Sequence, residues 1–231
     1  MNSELPLVLA SSSPRRCELM TLLNVPLEVA HADIDETQQP DEPPFDYVRR
    51  LSEEKARAVA ARREFAGRVI IAADTIVLLH GRVLGKPADE AHAREMLVQL
   101  RGTNHKVMTS VTVLHNGTGK QITDVCQSTV RLREMSAQEI DAYIATGDPM
   151  DKAAAYAIQN LEFAPAERVV GCPANVLGLP MCHVVILLRR HGVELPDSQP
   201  RACRIQYGGY YCALTEIAMP GLTEQGVLAP R

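Results

Sequence analysis

The feature of this sequence that most constrains its fold is an eleven-residue apolar run, Val69–Leu79, which contains a single charged residue, Asp74. The run is rich in β-branched residues and lacks the polar–apolar alternation of a strand with one face in water. It predicts a strand that is covered by protein on both faces. Helical patterns flank the run along the chain, and strands that alternate with helices indicate an α/β fold.

Further strands and helices are predicted on either side of this run. Residues 5–10 are typical of a short buried strand, and residues 107–115 and 122–132 of two strands paired around a turn at Asn116–Gly117. Because this hairpin is antiparallel, we expect a mixed sheet. Helices are predicted from Pro14, over roughly 44–63, over 89–100, over 137–146 behind a capping box at Ser136–Glu139, and from Pro180 to about Arg190.

Length and charge exclude several classes of protein. The chain has 231 residues and a net charge of −4, so it is not expected to bind nucleic acid through a general basic surface. No apolar run approaches the ~20 residues that span a bilayer, and the first residues do not resemble a signal peptide. We therefore expect a cytoplasmic protein without membrane contact. It would have one domain over residues 1–192 and an extension of unknown role over residues 193–231.

The six cysteines are scattered along the chain and show no C-x-x-C spacing. This pattern argues against a zinc site and, in a cytoplasmic chain of this size, against a disulfide framework. We expect buried free thiols. The pair Cys203 and Cys212 is left open, because it flanks a hairpin-like segment at residues 208–211.

Two consecutive arginines, Arg15 and Arg16, fall in the first turn of the helix predicted to begin at Ser13–Pro14. The helix dipole disfavours cations there by up to about 1 kcal/mol. Their position makes sense if an anion is bound, because backbone N–H groups and two guanidinium groups would then meet a phosphate chain together. The alternative is a pair of solvated arginines on an exposed turn.

Asp74 is unusual because an ionised carboxylate inside a buried strand is unfavourable unless it is paired, binds a metal or takes part in a reaction. The next residue, Thr75, is also polar, which suggests that the strand opens into a cleft at this point. An aspartate in such surroundings can act as a general base that activates water. A purely structural carboxylate is the alternative.

Three other charged residues have the chemistry of a polyphosphate site. Lys86 lies in a rigid Gly–Lys–Pro turn, from which it can reach an anion as a point charge. Lys55 lies on the predicted long helix beside two glutamates, and Glu36 belongs to an acidic loop that can offer oxygen ligands to Mg²⁺. Solvated surface positions are the alternative for each. Together with the arginines and Asp74, these residues describe a site for a polyphosphate–metal complex.

Short segments of the chain occur in the order seen in the Maf family of nucleoside triphosphate pyrophosphatases, which the sequence resembles over about residues 5–192. The segments are Ser11–Arg16, Glu36–Thr37, Lys55–Ala56, Ala73–Thr75, Gly85–Pro87, Asp151–Ala153 with Gln159, and Asn175–Pro180. The resemblance implies a twisted mixed β-sheet flanked by helices, with a deep cleft between two lobes, similar to the Maf and inosine-triphosphatase folds. It also implies a homodimer, which is frequent in the family.

The same resemblance implies a reaction and the roles of individual residues. The reaction would be Mg²⁺- or Mn²⁺-assisted hydrolysis of dTTP and UTP to the monophosphate and pyrophosphate, with Asp74 as the proton acceptor and Glu36 as a metal ligand. The residues expected to bind the phosphates are Ser11, Arg16, Lys55 and Lys86. The residues expected to set substrate specificity are Arg15, Thr75 and Gln159, which look like the dTTP/UTP branch of the family rather than the 7-methyl-GTP branch.

The sequence departs from the family pattern at Ala154 and Ala157, where glycine is usual. Alanine does not readily adopt a positive φ, so we expect a shift of the loop that carries Gln159 and an effect on base selectivity. Two alternatives to the main function stay open. One is a weakly hydrolytic nucleotide sensor that regulates cell division. The other is a pyrophosphatase specific for modified pyrimidine nucleotides, which would keep them out of nucleic acids.

Overall fold

The computed structural model describes residues 6–160 and 162–195, which form a seven-stranded mixed sheet with helices on both faces. The strands are β1 (Leu7–Leu9), β2 (Leu27–Val29), β3 (Val69–Leu79), β4 (Arg82–Leu84), β5 (Asn104–His115), β6 (Lys120–Leu132) and β7 (Ala166–Val170). Their order is β2-β1-β3-β5-β6-β7, and β4 pairs with β3 outside this order. The first three strands of the order are parallel, and the remaining pairs are antiparallel. The predicted α/β fold with a mixed sheet is confirmed.

The helices divide unequally between the two faces of the sheet. They are α1 (Pro14–Thr21), α2 (Pro44–Ala60), α3 (Glu90–Leu100), α4 (Ala137–Ala145), α5 (Pro173–Val176) and α6 (Met181–Arg190). On one face, Ala56 and Val59 of α2 pack against Ile70 and Ala72 of β3. On the other face, the neighbouring β3 residues belong to a large core that includes side chains from the other five helices. This arrangement explains why β3 is apolar along its whole length.

A gap along one edge of β3 creates the opening of the cleft. The residue that follows β1, Ala10, donates its N–H to the Ile71 carbonyl at 2.8 Å, where the pairing of β1 with β3 ends. The pairing with β4 begins only at Val77. Between these points, residues 72–76 of β3 have no strand neighbour on this edge within the described part of the chain, whereas β5 runs along the whole opposite edge. Asp74 and Thr75 lie in the middle of this gap.

The predicted long helix ends earlier than expected, at Ala60 rather than near Arg63, and a short 3₁₀ turn follows at Arg63–Phe65. The cause is a contact that is distant in sequence. The side-chain amide of Asn116, in the β5–β6 turn, donates to the Ala60 carbonyl at 2.7 Å and to the Phe65 carbonyl at 3.0 Å. These bonds satisfy carbonyls that an ended helix leaves without partners. The sequence pattern around α2 contains no trace of this contact.

Two details at other helix ends also differ from the prediction. Ser13 occupies the cap position of α1, but its side chain makes no capping hydrogen bond, and instead its N–H donates to Ser11 Oγ at 3.3 Å. The short helix α5 was not predicted, since a single turn is too short to show a periodic apolar pattern. The capping box at Ser136 and Glu139 is confirmed, with both reciprocal hydrogen bonds present.

The cysteines within the described ranges are not joined in disulfides, in agreement with the prediction. Cys126, Cys172 and Cys182 are buried, Cys17 is partly buried, and none of the four forms a disulfide. Cys203, Cys212 and the hairpin-like segment at 208–211 lie outside the described residues. Across residues 6–160 and 162–195, no helix is both long enough and apolar enough to cross a membrane.

Candidate active site

All nine site residues predicted from the sequence line one cleft of about 370 Å³ beside the gap in the edge of β3. They are Ser11, Arg15, Arg16, Glu36, Lys55, Asp74, Thr75, Lys86 and Gln159. They come from six separate parts of the chain, and the positions of β1, β3 and α2 bring them together. The cleft therefore brings together residues that are far apart in the sequence, of which Lys86 and Gln159 remain exposed.

The centre of the cleft is an ion pair between Lys55 of α2 and Asp74 of β3. The ammonium group of Lys55 donates to Asp74 Oδ1 at 2.6 Å and lies 2.8 Å from Glu36 Oε1. Only 7% of Lys55 and 6% of Asp74 is exposed, whereas the side chain of Glu36 is 59% exposed. Burial raises the pKa of the Asp74 carboxyl above the usual aspartate value, although the positive charges of Lys55 and Arg16 oppose this shift. The carboxylate therefore holds a proton more readily than an exposed aspartate does.

Helix α2 is fixed beneath Asp74 by a cluster of hydroxyl groups. Ser52, three residues before Lys55, is fully buried, and its Oγ lies 2.7 Å from Ser110 Oγ and 2.8 Å from Thr112 Oγ1. Ser110 is the residue of β5 that pairs with Asp74 across the sheet. The position of the lysine relative to the carboxylate is therefore set by helix-to-sheet hydrogen bonds as well as by the ion pair.

Arg16 lies on the other side of β3 and is held by three protein acceptors. Its Nε donates to the Gly178 carbonyl at 2.8 Å, Nη1 to Ser11 Oγ at 3.2 Å and Nη2 to Thr75 Oγ1 at 3.1 Å. Burial lowers the pKa of the guanidinium, and the negative charges of Asp74 and Glu36 oppose this shift. Arg16 is thus a positioned residue of the cleft, and its interpretation as a solvated surface arginine is wrong.

Two further cations, Lys86 and Arg15, reach the cleft without a hydrogen-bond or ion-pair partner among the described residues. Lys86, after β4, is exposed, and Arg15, at the start of α1, is partly exposed. Neither forms a hydrogen bond or an ion pair with any of the described residues. Unlike Lys55 and Arg16, these side chains have all of their N–H groups free for a ligand.

The loop before Gln159 contains backbone strain at the position where the family usually has glycine. Ala154 has φ 60° and Ala155 has φ 58°, both in the left-handed region, and both side chains are fully buried. This conformation costs an alanine roughly 1–2 kcal/mol. The N–H of Ala154 donates to the Gly85 carbonyl at 2.9 Å, which ties the loop to the turn that carries Lys86. Ala154 thus adopts a left-handed conformation that glycine adopts easily, while Ala157 does not have a positive φ.

Sequence reasoning did not assign a role to several parts of the cleft lining, among them Lys152, Tyr156 and residues 176–178. Lys152 is buried, and its ammonium group contacts the Asp148 carbonyl at 2.6 Å, Asp148 Oδ1 at 2.9 Å and Asp151 Oδ1 at 2.6 Å. The positive charge of Lys152 is therefore already compensated by two carboxylates. Lys152 and residues 176–178 belong to the late segments of the family resemblance, which assigned them no individual role, and Tyr156 lies between two of these segments.

Gly178 has a structural requirement that its sequence segment did not reveal. Its φ is +103°, and an added Cβ would lie 3.4 Å from both Arg16 Nε and Thr75 Oγ1. Residues with a side chain rarely adopt this conformation. The carbonyl that accepts from Arg16 therefore depends on glycine at this position.

The comparison with known proteins agrees with this geometry. The sequence matches the family described as Maf-like protein over residues 6–191, which is most of the chain. The chain belongs to the Maf family.

Several proteins named dTTP/UTP pyrophosphatase are similar to this Maf protein. That of Anaeromyxobacter dehalogenans (strain 2CP-C) is 48% identical, over 84% of this chain and 98% of its own length. Those of Hahella chejuensis and Geobacter sulfurreducens are 46% and 45% identical, over 82% and 80% of this chain and 94% and 96% of their own lengths. Among solved structures, the Staphylococcus aureus Ham1 protein has a TM-score of 0.38 at 14% identity, covering 56% of this chain and 73% of that chain. This last likeness is too slight to bear on the fold.

Proposed function

We propose that this Maf protein hydrolyses dTTP and UTP to the nucleoside monophosphate and pyrophosphate. The observation that carries the proposal is the buried Asp74 carboxylate, with a raised pKa, in a cleft that also presents Arg15, Arg16 and Lys86. The names of relatives at 45–48% identity support the choice of substrates. A water-activating base beside a set of cations is the arrangement that cleavage of a polyphosphate requires.

The cations would bind the triphosphate and stabilise the charge that develops on the leaving pyrophosphate. Arg16 uses three of its five N–H groups on protein acceptors, so one remains on each terminal nitrogen for phosphate oxygens. Lys86 and Arg15 would contribute further charge-assisted hydrogen bonds, and Ser11 keeps Arg16 in place. Because these groups are already oriented, little reorganisation is needed when the substrate binds.

Asp74 would accept a proton from a water molecule that attacks the α-phosphorus. The bond between the α-phosphorus and the oxygen that bridges to the β-phosphate would then break, and pyrophosphate would leave. Burial raises the pKa of Asp74, which makes it a better base than an exposed aspartate at neutral pH. Lys55 keeps the carboxylate oriented through its 2.6 Å hydrogen bond to Oδ1.

The cleft also fits a divalent cation, for which we propose Mg²⁺ or Mn²⁺. The side chain of Glu36 is 59% exposed and contacts the Lys55 ammonium group through Oε1, so its carboxylate can offer an oxygen to a cation in the cleft. Carboxylate oxygens are the ligands that these cations prefer. Among the described residues, no group of three His, Cys, Asp or Glu side chains is placed to hold a metal, so phosphate oxygens would complete the coordination. Such a cation would neutralise charge on the phosphate oxygens.

Base selectivity would depend on Arg15, Thr75 and Gln159. Gln159 is exposed in the cleft lining, and its amide offers both a donor and an acceptor to the edge of a pyrimidine. The loop with left-handed Ala154 and Ala155 precedes Gln159 by four residues and would influence where its amide lies.

Release of pyrophosphate from a panel of canonical and base-modified nucleoside triphosphates, with Mg²⁺ or Mn²⁺, tests the proposal. We expect the highest kcat/KM with dTTP and UTP. Tight binding of these nucleotides without release would favour the nucleotide sensor instead. A clearly higher kcat/KM for modified pyrimidine nucleotides would favour the second alternative.

The proposal extends to the setting of the reaction. We place it in the cytoplasm, the compartment in which nucleoside triphosphates are made and used. We also propose that residues 1–192 form the catalytic domain, that residues 193–231 form an extension, and that the protein is a homodimer. Size-exclusion chromatography with light scattering tests the homodimer.

A further inference from the structure

A chain of hydrogen bonds runs from Arg16 into the core of the protein. Arg16 Nη2 donates to Thr75 Oγ1 at 3.1 Å, Thr75 Oγ1 lies 2.9 Å from Thr109 Oγ1, and Thr109 Oγ1 donates to the Asn175 carbonyl at 2.9 Å. Thr109 lies on β5 opposite Thr75, is fully buried and does not line the cleft. No role in substrate binding follows from its position alone.

The groups at the two ends of this hydrogen-bond series, the Arg16 guanidinium and the Asn175 carbonyl, determine which atom donates in each bond. A carbonyl can only accept, so the single hydroxyl hydrogen of Thr109 is used on Asn175. The hydrogen shared between the two threonines must therefore come from Thr75. An arginine can only donate, so Thr75 accepts from Arg16. All three bonds run the same way, from the guanidinium to the carbonyl.

This direction restricts what Thr75 can do for a ligand. Its hydrogen is committed to Thr109, and one of its two lone pairs is committed to Arg16. Thr75 therefore cannot donate to a substrate while these three hydrogen bonds are present. Thr75 acts on phosphate binding through the orientation of Arg16, and toward a nucleotide base it can only accept a hydrogen bond.

The far end of the chain is anchored in the core. Asn175 is fully buried, and its amide donates to the Val107 carbonyl at 3.0 Å and to Ser128 Oγ at 2.8 Å. Three residues later, Gly178 provides the carbonyl that accepts from Arg16 Nε. The segment 175–178 therefore holds the guanidinium at two points, once directly and once through the two threonines.

We propose that Thr109 is a positioning residue, which acts through Thr75 to orient the two free N–H groups of Arg16 toward the triphosphate. The inference rests on the proposed function, since it assigns Arg16 to phosphate binding. It adds a residue outside the cleft to the machinery of the site. A valine at position 109 keeps the shape of the side chain but leaves the Thr75 hydrogen without its acceptor.

The test compares Thr109→Val, Thr109→Ser and the matched control Thr103→Val. Thr103 directly precedes β5 and is partly buried, and its hydroxyl donates to the Arg101 carbonyl at 3.2 Å, away from the cleft lining and from Arg16. We expect Thr109→Val to lower kcat/KM for dTTP by about three- to tenfold, mainly through KM. Thr109→Ser restores the wild-type value, and Thr103→Val stays within twofold of it.

A double-mutant cycle with Arg16→Lys separates positioning from general structural damage. Lysine lacks the planar fork that the threonine chain orients, so Thr109→Val should change kcat/KM less than twofold in the Arg16→Lys background. Equal effects of the two valine variants, no rescue by serine, or additivity in the cycle would each overturn the inference. Calorimetric affinity for inorganic pyrophosphate should follow the same order of variants. It tests the inference even if the wild-type protein releases no pyrophosphate, a result that would refute the proposed function alone.

Discussion

Replacement of Asp74 by asparagine tests the central claim about the site. The amide has nearly the same volume as the carboxylate, and its oxygen can still accept the hydrogen bond that Lys55 donates at 2.6 Å. The variant loses the ability to take a proton from water. Because a positioned general base contributes roughly 10²- to 10⁴-fold, we expect kcat for dTTP to fall by that factor, or about 3–5 kcal/mol in barrier height.

Although Asp74→Asn should lower kcat, we do not expect it to lower the free energy of unfolding. Burial raises the pKa of Asp74 in the folded protein, so the folded state binds this proton more tightly than the unfolded state does. The ionised carboxylate therefore opposes folding at neutral pH, and the free energy of unfolding rises as the pH falls through the folded pKa of Asp74 toward its unfolded pKa. A neutral amide removes this penalty, and Lys55 keeps Glu36 as a partner at 2.8 Å. We expect Asp74→Asn to unfold at no lower urea concentration than the wild type at pH 7.

The assay is pyrophosphate release from saturating dTTP between pH 5 and pH 9, together with urea unfolding. The wild-type rate should decline on the acid side as Asp74 becomes protonated, and the residual rate of Asp74→Asn should lack this decline. Asp124→Asn serves as the control, because Asp124 also lies on a strand of this sheet but pairs with His183 outside the cleft. A folded Asp74→Asn variant that works at the wild-type rate would refute the assignment of the base.

Three other perturbations probe separate parts of the molecule. Lys86→Met removes an exposed cation that no described residue pairs with, so KM for dTTP should rise about tenfold without a change in the urea midpoint; an unchanged KM contradicts its role in phosphate binding. Burial lowers the pKa of His105 to about 4, so the free energy of unfolding should fall by up to about 3 kcal/mol between pH 6.5 and pH 4, and His105→Gln should reduce this slope in urea titrations. Ser136→Ala removes the capping box of α4 and should lower the free energy of unfolding by about 1 kcal/mol, measured by thermal melting, with activity intact.

Local patterns were sufficient to predict the elements whose signals are continuous in sequence. The strand Val69–Leu79 was predicted to the residue, because both of its faces are covered and its apolar run has clear ends. The end of α2 was predicted wrongly, because it depends on Asn116, which is 56 residues away from Ala60. A helix end that is capped from another part of the chain has no local signal.

The sequence predicted which residues form the site but not which partners these residues have. The nine residues in the recognised segments converge on one cleft, but their partners could not be read from the sequence. The pairing of Lys152 with two aspartates, the hydrogen bonds of the Thr109 hydroxyl and the left-handed conformation of Ala154 are each consequences of three-dimensional packing. Residue type and spacing predict which chemistry is available, while the hydrogen-bond partners decide which groups are free to use it.

The adjacency of Asp74 and Thr75 on β3 has a consequence for how this sequence can vary in length. Successive side chains of a strand point to opposite faces, so Asp74 meets Lys55 on one side while Thr75 meets Arg16 on the other. Insertion or deletion of one residue within the preceding part of the strand would interchange the two directions. The carboxylate would then face the arginine and the hydroxyl would face the lysine. The residue count between the start of β3 and Asp74 is therefore as strict a requirement as the identity of Asp74 itself.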